Sequence, residues 1–120
     1  MKRLIFVNDD YKMNKYELEK FINILMLFDL LETYIPLISK QVDMDKLFFL
    51  LDKKFVTKNN NKIIYKNSFT KDNVEFIFNK NEILINNYLN DDSLKYIFYK
   101  ISDNYLILDY WKWKIDLLII

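Results

Sequence analysis

Hydrophobic positions along this chain follow two different periods, and the change falls near residue 55. Residues 3–7 read RLIFV, an apolar run of strand length, which Asn8, Asp9 and Asp10 break. From 16 to about 33 the residues are good helix formers. Leu18, Phe21, Ile22, Leu25 and Phe28 form one stripe, and Ile24, Leu27 and Leu31 widen it. Asn14, with Glu17 three residues on, is placed as a capping pair for this helix. Between 24 and 31 only Asp29 is polar, so the helix is apolar nearly all round. Such a helix is covered on more than one side, by the sheet and another helix or by a partner. Pro36 is expected to end or kink it. Asp43 is set to cap a second helix over 43–55, with Met44, Leu47, Phe48, Leu51 and Phe55 at helical spacing. Its acids lead and Lys53 and Lys54 trail, the order a helix dipole favours.

After residue 55, short runs of Ile, Tyr, Phe and Val alternate with Asn and Asp clusters. The segments 62–69, 73–78, 82–88, 94–101, 105–110 and 111–119 all read as strands. The turns between them need backbone conformations that Gly usually supplies, and the chain has no Gly. Asn and Asp tolerate positive φ next best, and they stand at 59–61, 79–81, 90–92 and 103–104. Short connections imply antiparallel pairing. The pattern therefore predicts a single α+β domain over 1–120. A short N-terminal strand and two helices fill the mainly helical half, 1–55. An antiparallel meander of five to six strands over 56–120 packs on the helices.

The segment 110–120, YWKWKIDLLII, alternates its residue types. In a strand Trp111, Trp113, Ile115, Leu117 and Ile119 share one side, and Lys112, Lys114 and Asp116 the other. A ribbon that stacked bases on its tryptophans would need the lysines beside them. The expectation is a core-facing strand whose uncharged tip, Leu118 and Ile120, is covered by the domain or by a second copy. The run is too short to span a bilayer, and the longer stretch 21–38 carries Asn23, Asp29, Glu32 and Pro36. No secretory signal is read at the start, so a cytoplasmic protein with no membrane role is expected.

Composition narrows the chemistry. His, Cys, Gly and Ala are absent, Pro occurs once, and Arg3 is the one arginine beside seventeen lysines. These preferences follow AT-rich codons, as in a low-GC bacterium, its phage or plasmid, or an AT-rich virus. Without Gly there is no phosphate loop or dinucleotide fingerprint, and without His or Cys no triad, thiol nucleophile or imidazole metal site. Asp9 with Asp10 and Asp91 with Asp92 match no metal-loop spacing and read as solvated turns. No catalytic residue, metal site or cofactor is expected.

Net charge is +1, but it is unevenly spread: 53–71 holds Lys53, Lys54, Lys58, Lys62, Lys66 and Lys71 with no acid, so the remainder carries −5. Tyr65 lies among these lysines. The segment reads either as an electropositive hairpin for phosphates or an acidic protein surface, or as a solvated edge that resists sheet aggregation. Tyr88, Tyr96 and Tyr99 are candidate interface aromatics, since tyrosine joins contact area to a polar tip.

Three functional expectations follow. The first is a non-enzymatic module that binds a target protein stoichiometrically, as an inhibitor, immunity or anti-defence protein does. A homodimer through helix one or the C-terminal strand is a companion expectation. The second is a nucleic-acid binder using 53–71. The third is a cone-like α+β domain with an aromatic pocket for a small ligand.

Overall fold

The computed structural model describes residues 1–11, 14–51, 55–66, 73–88 and 92–109. The run RLIFV belongs to β1 (Lys2–Phe6), which lies inside a six-stranded sheet rather than at its edge. Its composition explains the position. Leu4 and Phe6 are buried on one face, and Ile5 and the following Val7 on the other. A strand without a polar side belongs where both faces are covered.

The strands β3 (Lys62–Lys66), β4 (Asn73–Phe78) and β5 (Ile83–Asn86) form the expected antiparallel meander, and β2 (Val56–Asn59), which the alternation of residue types did not announce, pairs with β3 at its edge. The order is β2-β3-β4-β5-β1-β6, with β6 (Tyr105–Asp109) antiparallel to β1 on its far side. The chain therefore leaves β5, crosses β1, and returns as β6. The N-terminal strand interrupts a meander that the sequence pattern had placed wholly in the second half. The hairpin between β2 and β3 turns on Asn60 at φ 51°, and Asn87, at φ 59°, follows β5, so Asn takes the positive-φ positions where Gly is missing. The expected strand at 111–119, with Trp111 and Trp113, lies outside the described residues.

Helices cover both faces. On one, α3 (Met44–Leu50) and α4 (Asp92–Ile101) pack on a core built around Phe76, Ile63, Ile85, Leu47 and Phe98. On the other, α1 (Lys15–Leu27) and α2 (Leu31–Ile38) bury Leu18, Ile22, Leu25, Ile35 and Ile38 against Ile5, Val7 and Leu106. No helix among the described residues is long and apolar enough to cross a membrane.

Three sequence expectations need correction. The long first helix is two helices. Asp29 adopts φ 56° just past the end of α1. Its amide donates to the Met26 carbonyl, and the Leu30 amide reaches back to Leu25. This is a Schellman-type stop with Asp where Gly is usual. Pro36 then lies inside α2, on its exposed side, instead of ending the helix. The second helix is α3 alone. Asp43 caps it as expected by accepting from the Asp45 amide, but the helix stops at Leu50 rather than 55, and Val56 begins β2.

The third correction is the largest. Residues 94–101 are helical, not a strand. Leu94, Ile97, Phe98 and Ile101 follow i, i+3, i+4, i+7 and pack on the core, which leaves Tyr96 and Tyr99 outside. With Asp and Ser at 92–93 before the run, the helical period competes with the strand period. The crossover from β5 to β6 decides it, because two parallel strands flanking β1 require a covering connection.

Candidate interaction surface

The sequence builds α1 with more apolar side chains than one interface with the sheet can use. Asn14 starts it as expected: its Oδ1 accepts from the Glu17 amide at 2.8 Å, and its Nδ2 donates to Glu17 Oε1 at 2.8 Å. With the start fixed, Leu18, Ile22 and Leu25 point to the sheet. The opposite side carries Tyr16, Lys20, Asn23, Ile24 and Leu27, all exposed, along a shallow furrow of about 370 Å³. Phe28 and Leu30 continue the apolar surface through the turn, and Tyr34 and Leu37 extend it on α2. Tyr16, Leu27, Phe28 and Leu37 are each more than half exposed.

Arg3 links the first turn of α2 to the sheet. It is buried, and it binds Glu82 through Nε at 2.6 Å and Glu32 through Nη1 at 2.5 Å. Glu32 lies in the first turn of α2, and Glu82 immediately precedes β5. Burial by itself lowers the Arg3 pKa, but its hydrogen bonds and ion pairs with the two glutamates outweigh burial, and the net direction is upward.

The lysine-rich hairpin divides between the two sides of the sheet. Lys58, paired in register with the buried Ile63, forms an ion pair with Asp45 of α3 and lies 5.9 Å from the Phe48 ring centre. Lys62 and Lys66 are exposed on the other side of β3, flanking the half-buried Ile64. Thus Lys58 is separated from Lys62 and Lys66; Lys53, Lys54 and Lys71 lie outside the described residues. Tyr65 and Tyr88 are half-buried against the α3–α4 core, whereas Tyr96 and Tyr99 stand exposed on α4. Lys100 lies 4.7 Å from the Tyr96 ring centre.

A groove of about 900 Å³ runs beside β6, between α1 and α4. Leu18 and Ile22 contribute apolar walls, Tyr99 and Tyr105 aromatic ones, and Lys15 and Lys95 amines. Burial raises the Tyr105 pKa, and its hydroxyl donates to the Lys95 carbonyl at 3.4 Å.

The exposed residues of α1 and α2 were absent from the candidates named by sequence. The general signal was present, since α1 is apolar nearly all round. Leu18, Phe21, Ile22 and Leu25 of the expected stripe meet the sheet, whereas Ile24, Leu27 and Phe28, read with that stripe, are left outside.

These features define an α+β protein with an antiparallel sheet, helices on both faces, and, among the described residues, exposed apolar side chains on α1 and α2. No protein-family model matches the chain, and no curated protein matches its sequence.

Proposed function

We propose that the chain is a non-enzymatic protein-binding module that engages a target protein stoichiometrically through the exposed α1–α2 face. This is the working mode of an inhibitor, immunity or anti-defence protein. One observation carries the reading. Tyr16, Ile24, Leu27, Phe28, Leu30, Tyr34 and Leu37, on α1, its stop and α2, together expose on the order of 700 Å², and Tyr16, Ile24 and Leu27 line one furrow. That area approaches the roughly 800 Å² per partner of a standard interface. Packing of Leu18, Ile22, Leu25, Ile35 and Ile38 against Ile5, Val7 and Leu106 holds the helices on the sheet, so a partner meets a formed surface and ordering costs are small.

The test is affinity capture from host cells after nuclease treatment, run in parallel with an Ile24→Glu/Leu27→Glu variant. The expected result is one protein held near one-to-one by the natural chain and lost by the variant. A captured protein that the variant retains equally would refute the role of this face.

A second reading has its own observation in the β6 groove, whose size and aromatic lining suit a small ligand. Thermal stabilisation by a compound library, abolished by Tyr99→Ala, is its test. Among the described residues, the nucleic-acid reading has Lys62 and Lys66 exposed on one side of β3. It predicts binding that weakens steeply with salt and with Lys62→Gln and Lys66→Gln.

A further inference from the structure

We infer that, before it meets a target, the free chain closes the α1–α2 face on a second copy of itself as a two-fold symmetric dimer. This rests on the reading of that face as an interface, and it names the first occupant.

The area supports one copy. Two surfaces on the order of 700 Å² each would bury at most about 1,400 Å² in total, within the range of stable standard interfaces. The composition points the same way. The furrow of α1 is half apolar, with Tyr16, Ile24 and Leu27 beside Glu19, Lys20 and Asn23. Lys20 can lay its aliphatic stem across the apolar stripe while its amine stays in water. An apolar patch is an aggregation hazard whenever it is bare. A target protein covers it only when target is present, whereas a second copy is always available at the chain's own concentration.

The geometry also allows closure. α1 is 13 residues long, about 20 Å. A two-fold axis across its middle sets Tyr16 of one copy against Leu27 and Phe28 of the other. Each copy then offers and receives the same side chains. Such an isologous contact saturates at two and leaves no surface to recruit a third copy. Target binding and self-association compete for the same residues, so the dimer acts as the resting form.

The experiment measures the mass of the intact chain in solution by light scattering over the micromolar range. The natural chain is expected at twice its 14.8 kDa mass at the upper concentrations. Leu27→Glu and, separately, Phe28→Glu are expected to run as monomers with unchanged helical content, because both residues are exposed. A monomeric natural chain at every concentration overturns the inference. So does a dimer that both variants leave intact. The two readings fail separately. A monomeric chain that still captures a target through Ile24 and Leu27 removes the dimer and leaves the binding module. A dimer broken by Leu27→Glu supports the inference even where no target is captured.

Discussion

Truncating Phe98 tests most directly whether 94–101 is a helix packed on the sheet. Phe98 is 0% exposed, and its ring meets Phe76 at 6.3 Å and Tyr105 at 5.8 Å, both edge-to-face. Cutting a buried Phe to Ala costs about 3–5 kcal/mol. Two aromatic contacts place Phe98→Ala in the upper half, at about 4 kcal/mol. That is a large share of the roughly 5–15 kcal/mol that holds a domain folded, so Phe98→Leu is the companion, expected to cost about 1–2 kcal/mol. The neighbours supply the contrast. Tyr99 is 61% exposed, and Tyr99→Ala is expected within about 0.5 kcal/mol of the natural chain. Tyr96, 60% exposed beside Lys100, should cost at most about 1 kcal/mol as alanine. Urea unfolding followed by far-ultraviolet circular dichroism measures each. With a slope near 2 kcal/mol/M, Phe98→Ala lowers the midpoint by about 2 M. An alternating strand would make Tyr96→Ala as damaging as Phe98→Ala and would separate both from Ile97→Ala. That pattern would refute the helical assignment.

Three further predictions follow from single contacts. In double-mutant cycles, Arg3 with Glu82 should couple by about 1–3 kcal/mol, whereas Arg3 with the mostly exposed Glu32 should couple by less than about 1 kcal/mol. Burial raises the Tyr105 pKa above its ordinary 10.0, so the folded state holds the phenolic proton more tightly than the unfolded chain. That contribution is fully present below pH 10.0 and is lost as pH rises through the raised value. Urea midpoints between about pH 8 and 11 should therefore fall less steeply in Tyr105→Phe than in the natural chain. At Asn60, with φ at 51°, Gly should be neutral within about 0.5 kcal/mol and Val should cost about 1–2 kcal/mol, both read by thermal melts.

Local signals in the sequence were reliable where one residue supplies the chemistry. Asn14 and Asp43 accept the amide hydrogen bonds their positions imply. The strand at 73–78 has the limits its alternation suggests, and the 59–61 cluster makes a turn. Two failures share a cause. In 94–101 the apolar positions satisfy both periods, and the connection across β1 selects the helix. In 16–38 the apolar pattern runs on without a break, and a left-handed Asp29 divides it. Neither decision is local. The first depends on strand order, and the second on a backbone conformation usually announced by Gly. The site was legible only as an excess. The apolar circumference of α1 implied a second cover, but the identity of its exposed residues awaited the sheet.

The α1–α2 face departs from the way the other helices use the chain's residues. Ile, Leu, Phe, Tyr, Lys and Asn are abundant throughout the sequence, so α4 serves as an internal control. Its outward positions hold Lys100, Tyr96 and Tyr99, and its aliphatic residues Leu94, Ile97 and Ile101 pack inward. α3 exposes Phe49 and Leu50 beside Asp45 and Lys46. On α1 and α2 the outward positions hold Ile24, Leu27 and Leu37, joined through the turn by Phe28 and Leu30, beside the exposed Lys15, Glu17, Glu19, Lys20, Asn23, Glu32 and Thr33. That shared composition does not explain why α4 turns its aliphatic side chains inward while α1 directs two of them away from the sheet. The proposed partner surface would account for the difference, because it would make the outside of α1 a second inside.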